Sequence, residues 1–193
     1  MLLLTQALAQ ITSIPAFIVH YQSFSNNTLE YISNNVTDEF TLPFTDYLDS
    51  RHAATHLPLK LRKLENSRAV QISNFNEELL LNVFSNQLHD LQLNWISISH
   101  SSPNSTWHFI PKTISNLHVF QIENSVTKTC LSKSHHLNNT RIVTVSCNAT
   151  NENQFWILID SELKATLNLN FVKQKHTELN ITLQLKDYVD EKK

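Results

Sequence analysis

The sequence predicts an all-β chain assembled from three copies of one four-stranded unit, and three observations carry that expectation. The first is a phrase, Cys130-Leu131-Ser132, then Val145-Ser146-Cys147, then Asn153-Gln154-Phe155-Trp156. It has a weaker copy about fifty residues upstream and a still weaker one about fifty before that, a period that marks one supersecondary unit used repeatedly. The second is spacing: eleven residues separate Ile18 from Leu29, Val70 from Leu81 and Phe120 from Leu131. The third is texture. The segments are short, alternate apolar with polar, and are rich in Val, Ile, Phe and Trp, as half-buried strands are. Four strands in each of three copies make twelve, the number of a β-trefoil.

Copy one, about residues 17–62, opens a strand at Ile18, continues in Leu29-Glu30-Tyr31-Ile32-Ser33 and closes at Leu57-Pro58-Leu59, with Leu57 in the place of a Trp. Copy two, about 68–112, has Val70-Gln71-Ile72-Ser73-Asn74, Leu81-Asn82-Val83-Phe84-Ser85, Trp95-Ile96-Ser97-Ile98-Ser99 and Trp107-His108-Phe109. Copy three, about 118–160, has Phe120-Gln121-Ile122-Glu123-Asn124, Cys130-Leu131-Ser132, Ile142-Val143-Thr144-Val145-Ser146 and Phe155-Trp156-Ile157-Leu158. Trp107 and Trp156 are expected to point inward, where an aromatic ring buries a large area. Residues 161–193 alternate again: Leu167, Leu169 and Phe171, then Leu179, Ile181, Leu183 and Leu185, with polar residues between them. That pattern predicts a C-terminal β-hairpin with one apolar face, followed by a charged tail from Asp187. Such a face must cover something, either the trefoil or another copy of the chain, so an oligomer through this hairpin is one expectation.

The chain has 193 residues, a formal net charge of −2 and no basic block interleaved with aromatics, which argues against a nucleic-acid partner. It has no glycine. Turns that need positive φ must then use another residue, and the asparagine pairs Asn26-Asn27, Asn34-Asn35 and Asn138-Asn139 are the expected substitutes.

The run from Cys130-Leu131 through Thr140-Arg141-Ile142-Val143-Thr144-Val145-Ser146-Cys147-Asn148 to Asn153-Gln154-Phe155-Trp156 resembles one repeat of a ricin B-type (R-type) lectin, whose repeats end in a Gln-x-Trp box. The resemblance covers roughly residues 17 to 160, strongest over copy three. It implies a disulfide between Cys130 and Cys147 and a non-catalytic, carbohydrate-binding protein whose partners are glycans or glycoproteins. In that family a sugar pocket uses an Asp just after the second-strand Cys or Leu position, an aromatic ring near the third strand, and Asn with Gln ahead of the Trp. Here the acid position reads Glu30, Asn82 and Ser132, and the stacking position reads Ile98 and Val145, with Trp95 and His100 nearby. The candidate carbohydrate-binding residues are therefore Asn82, Trp95 and His100 in copy two and Ser132, Asn153 and Gln154 in copy three. The alternative is a trefoil with decayed sugar sites that binds protein or acts as an inhibitor module.

Three features point to a secreted, extracellular protein. Residues 1–16 are apolar, with Ala7-Leu8-Ala9 and Ile14-Pro15-Ala16 as small-residue cleavage sites, and read as an atypical signal peptide too short and polar to be a transmembrane segment. Two cysteines would pair in an oxidising compartment. Asn-x-Ser/Thr glycosylation sequons stand at Asn26, Asn35, Asn104, Asn138, Asn148 and Asn180. No enzyme is expected. The ten histidines make one His-x-x-x-His pair, His52 and His56, with no Glu between them to serve as a base. His135 and His136 are adjacent, which does not present both rings to one metal. Paired cysteines offer no nucleophile, and a chain without glycine has no phosphate-cradling loop. No metal and no cofactor is expected.

Overall fold

A computed structural model describes residues 13–25, 29–34, 43, 45–47, 57–65, 67–85, 90–115, 117–136 and 139–160. The expected C-terminal hairpin and tail, the His52–His56 pair and the sequons at Asn26, Asn35, Asn138 and Asn180 lie outside the described residues.

Repeat one contains β1 (Ser13–His20), a short helix α1 (Tyr21–Ser25), β2 (Glu30–Ile32), β3 (Thr45–Tyr47) and β4 (Leu59–Lys63). Repeat two contains β5 (Val70–Ser73), β6 (Leu79–Ser85), β7 (Leu91–Ser97) and β8 (Thr106–Ile114). Repeat three contains β9 (Leu117–Asn124), β10 (Thr129–His136), β11 (Asn139–Ser146) and β12 (Trp156–Asp160). The first and last strands of the repeats close a ring: β1 pairs β4, β4 pairs β5, β5 pairs β8, β8 pairs β9, β9 pairs β12, and β12 returns to β1. The middle strands form the hairpins β2–β3, β6–β7 and β10–β11. A six-stranded barrel with three hairpins is the β-trefoil, and closure leaves the barrel strands without an open edge.

The registers define the threefold equivalences. Ala16 pairs Leu59, Val70 pairs Trp107 and Phe120 pairs Trp156. Counting outward from these pairs gives layers of three equivalent side chains. They are Ala16, Val70 and Phe120; Ile18, Ile72 and Ile122; Ile32, Leu81 and Leu131; Leu59, Trp107 and Trp156; and Leu61, Phe109 and Leu158. All fifteen belong to one buried cluster. Strand parity explains it: with a side-chain period of two, alternate residues of every barrel strand face the same interior. The indole N–H of Trp107 donates to the Leu81 carbonyl and that of Trp156 to the Leu131 carbonyl, both at 3.1 Å. The same bond is thus made twice at equivalent positions, and both tryptophans point inward as expected.

Repeat one departs from the expected register. The helix α1 is inserted between its first two strands, so the residue equivalent to Leu81 and Leu131 is Ile32, not Leu29. Sixteen residues separate Ala16 from Ile32, against eleven between the counterparts. Likewise Leu59, not Leu57, fills the Trp position; Leu57 is 44% exposed. The trefoil also begins earlier than residue 17. Ser13, Ile14, Pro15 and Ala16 pair with Arg62, Leu61, Lys60 and Leu59, inside the segment read as a signal peptide.

A second apolar cluster lies outside the barrel between repeats one and three. It unites Phe17 and Val19 of β1, Ile157 and Ile159 of β12, and Val119 of β9 with Tyr21 and Phe24 of α1 and Tyr31 of β2. The Tyr21 amide donates to the Phe155 carbonyl at 2.9 Å, and the Phe17 and Tyr31 rings meet edge to face at 5.3 Å. Burial on both sides is why these strands read as apolar runs rather than clean alternation.

Of the asparagines expected to stand in for glycine, Asn26, Asn27, Asn35 and Asn138 lie outside the described residues. Among the described residues the left-handed backbone positions are Glu77 (φ 60°), Ser115 (φ 48°) and Lys128 (φ 57°), and none is an asparagine. Asparagine serves instead as an acceptor for turn amides. Asn74 Oδ1 accepts from the amides of Glu78 and Leu79, and its equivalent Asn124 Oδ1 accepts from those of Val126 and Thr127. A side-chain oxygen that takes orphan N–H groups makes a tight turn without a backbone partner.

Candidate carbohydrate-binding site

The hairpin β6–β7 separates the repeat-two candidates by parity. Leu81 pairs Trp95 and Asn82 pairs Asn94, so the first pair and the second face opposite sides. Trp95 is fully buried in the central cluster with Leu81, Val83 and Leu93. Its ring faces the interior, so the stacking role expected for it is corrected: no face of the indole meets solvent. Asn82 and Asn94 lie on the side away from the central cluster but are themselves buried, 6% and 4% exposed, and hydrogen-bond to each other, Asn82 Nδ2 donating to Asn94 Oδ1 at 3.1 Å. Asn82 Oδ1 accepts from Ser102 Oγ at 3.4 Å, from the 3₁₀ turn that leads into β8. Beside it Gln71 Nε2 donates to Ser101 Oγ at 2.7 Å, and Arg62 Nη2 donates to Gln71 Oε1 at 2.7 Å. His100 is exposed on the preceding 3₁₀ turn, Ile98–His100.

A ring stands on the outward face after all. Phe84 is two residues beyond Asn82 on β6, hence on the same side and about 7 Å along the strand. It is half-buried and pairs across the hairpin with exposed Gln92. Period-two alternation already contained this signal: Asn82 and Phe84 share a face, whereas Trp95, opposite Leu81, does not. The arrangement therefore sets a half-buried hydroxyl and a half-buried aromatic ring on one face, above an amide dyad of which only the edge is exposed. Sugar hydroxyls can exchange hydrogen bonds with the hydroxyl and the amide edge, and a pyranose face can stack on the ring.

Repeat three is built differently. Gln154 is buried and engaged at both ends of its amide: its Nε2 donates to the Ser146 carbonyl at 2.9 Å, and its Oε1 accepts from the Asn148 amide at 2.8 Å and from Gln121 Nε2 at 3.1 Å. Gln121 Nε2 also donates to the Asn148 carbonyl at 2.9 Å. The glutamine of the Gln-x-Trp box thus clamps the loop after β11. Asn153 is half-buried in the 3₁₀ turn Glu152–Gln154, which packs against β10, and its amide donates to Asn151 Oδ1. Ser132 is buried on β10, its hydroxyl bonded to the Lys133 carbonyl. Val145, at the stacking position, is exposed on β11 but has no ring.

The acid position is also corrected by the register. Ser33, Asn82 and Ser132 are the equivalent residues, following Ile32, Leu81 and Leu131. None is acidic. Glu30 lies three residues earlier, its side chain 5% exposed and paired with Lys133 of β10, itself 9% exposed. That carboxylate joins two repeats and is not offered to a ligand.

Cys130 and Cys147 form a disulfide with Cα atoms 4.9 Å apart, at the open end of the β10–β11 hairpin. Two other groups carry shifted pKa values. The Ser13 hydroxyl (2.7 Å) and then the Lys60 ammonium (3.3 Å) hold the Glu77 carboxyl below its ordinary range against a smaller opposing effect of burial. Burial, then repulsion from Lys128, pushes His108 down, while Glu123 pulls the other way. Among the described residues no three His, Cys, Asp or Glu side chains stand together to hold a metal, and no helix is long and apolar enough to cross a membrane.

No protein-family model matches the chain, and no curated protein does. Solved structures are similar to it at low identity. A mosquitocidal holotoxin aligns with TM-score 0.61 and 17% identity over 78% of this chain, which spans 17% of that protein. The designed three-fold symmetric protein ThreeFoil aligns with TM-score 0.56 and 11% identity over 75% of this chain and 98% of its own. Polyporus squamosus lectin, solved with a human-type influenza-binding epitope, aligns with TM-score 0.50 and 14% identity over 77% of this chain and 50% of its own. Likeness at such identity speaks for architecture alone, and with the closed barrel and its three hairpins it shows that the chain is a β-trefoil.

Proposed function

We propose that this protein is a non-catalytic, carbohydrate-binding β-trefoil that works outside the cell, on glycans or glycoproteins, through the outer face of the repeat-two hairpin. The observation that carries the reading is the Asn82–Asn94 amide pair, held by Ser102 and sharing its face with the Phe84 ring. Polar groups that fix hydroxyl orientation beside one aromatic surface are the usual composition of a small-ligand site. The extracellular setting is supported by the Cys130–Cys147 bond, since structural disulfides persist in oxidising compartments. With both thiols consumed, the chain has no cysteine nucleophile.

A glycan array probed with the full chain tests the reading, followed by titration of any hit with Asn82→Ala and Phe84→Ala. Each substitution is expected to weaken binding by about tenfold or more, a change of about 1.4 kcal/mol. Unaltered far-UV circular dichroism will show that the fold is kept. Binding that survives both substitutions would remove the site from repeat two. The second reading, a protein-binding trefoil with decayed sugar sites, is favoured by the neutral trio Ser33, Asn82 and Ser132, which leaves the acid position without a charged acceptor in all three repeats. An array with no hit at all supports it.

A further inference from the structure

Two sequons lie among the described residues, and the structure treats them differently. In Asn104-Ser105-Thr106 the threonine is buried, and its hydroxyl donates to the Pro103 carbonyl at 2.6 Å, away from the asparagine side chain. Asn104 itself is half-buried, and its carbonyl accepts from Asn124 Nδ2. In Asn148-Ala149-Thr150 all three residues are exposed. There the Thr150 hydroxyl donates to Asn148 Oδ1 at 2.8 Å, and the Thr150 amide donates to the same oxygen at 2.9 Å.

We propose that Asn148 is the described sequon that carries an N-linked glycan, and that Asn104 is left bare. The chemistry follows from these contacts. In N-glycosylation a new bond forms between the amide nitrogen Nδ2 and C1 of an oligosaccharide carried on a polyprenyl pyrophosphate. The C1–O bond to phosphate breaks, the lipid pyrophosphate leaves with the electron pair, and Nδ2 gives one proton to a base of the transferase. At Asn148 both hydrogen bonds fall on Oδ1, so Nδ2 remains as the unused end of an exposed amide. The turn that places them uses contacts within three residues, so a nascent chain can adopt it before any tertiary structure exists. The Asn104 sequon sends its hydroxyl elsewhere by an equally local contact, and folding then buries it. A bulky, solubilising group also belongs on surface.

The location has a consequence for the repeats. The Asn148 backbone is held at both ends, by Gln154 on its amide and by Gln121 on its carbonyl. A glycan here stands on a fixed root beside Asn153 and Gln154, so repeat three bears a sugar where the family pattern would have it bind one. The inference rests on the extracellular reading, and the test separates the two. The full chain is expressed in insect cells in two forms, unaltered and behind a heterologous secretion leader, and its peptides are mapped by mass spectrometry with and without peptide-N-glycosidase. Secreted protein from the leader-bearing form is expected to carry glycan at Asn148, to lose it in Asn148→Gln, and to keep it in Asn104→Gln. Secreted protein unmodified at Asn148, or modified at Asn104 instead, overturns the proposal. Glycan at Asn148 only when the foreign leader is present upholds it and overturns the extracellular reading of the native chain.

Discussion

The indole of Trp156 fills a barrel layer and returns its one polar atom to the Leu131 carbonyl, so it serves packing and polar satisfaction at once. Replacing it with Ala is expected to cost about 3–5 kcal/mol in a urea denaturation, the range for emptying a large core site. Trp156→Phe keeps much of the volume but leaves that carbonyl without its donor, a smaller loss of about 1–3 kcal/mol. The inward orientation of Trp107 and Trp156 was legible because both close a repeat in phase. That of Trp95 is equally legible from its strand, since parity sets it with Leu81 and Leu93 on the core side. The same parity sets Phe84 with Asn82 on the opposite side. Glu77 carries a residue-scale expectation for pH. Its carboxyl is held below its unfolded value, first by the Ser13 hydroxyl and then by Lys60, so the unfolded chain binds the proton more readily. The stabilisation is therefore complete above the unfolded pKa and is lost as pH falls through the lower folded one. In urea titrations across the acid range, Ser13→Ala is expected to lower the midpoint above that window and to converge on the unaltered protein below it. A constant difference at every pH would assign Ser13 a purely structural role.

Among the elements, α1 is the one the sequence concealed. Five helical residues shift every later position of repeat one, yet the even spacing from Ile18 to Leu29 imitated an undisturbed repeat. Tertiary context exposes the insertion: Ser23 Oγ donates to the His20 carbonyl and accepts from the Glu30 amide, folding the extra turn back onto β2. With that shift Glu30 moves from a presumed ligand position to the contact between β2 and β10, where it meets Lys133. The neighbouring bond from the Ile142 amide to the Pro43 carbonyl joins the same two repeats. A buried ion pair is costly to break because one charge is then stranded without water or partner. Lys133→Met alone is expected to destabilise by about 3–5 kcal/mol, and Glu30→Leu together with Lys133→Met to recover most of that loss. A double-mutant cycle measured by chemical denaturation checks it; additive losses would mean that the pair is not coupled.

For the whole molecule, the threefold plan was readable because four of the five layers repeat a residue type, among them three isoleucines at 18, 72 and 122, and two tryptophans with a leucine at 59, 107 and 156. Repeat boundaries in copy one were less readable, since Leu59 lacks the aromatic marker and the strand before it begins within an apolar leader-like stretch. Closure depends on that strand, because β1 makes the final pairing with β12 along five residues, from Ala16–Asp160 to His20–Trp156. The disulfide takes no part in closure; it staples one hairpin across a separation of 17 residues. The two devices therefore predict different outcomes when broken. Cys130→Ala with Cys147→Ser removes a crosslink over a short loop, which a chain-entropy account puts at about 3 kcal/mol. The barrel contacts remain, so unfolding should stay one cooperative transition at a lower midpoint, with tryptophan fluorescence and far-UV circular dichroism superimposable. The fluorescence is informative because Trp95, Trp107 and Trp156 all sit in the shared core rather than in one repeat. Two separated transitions would show instead that repeat three depends on its staple to remain part of the ring, and closure through β1 and β12 would then be the weaker of the two constraints.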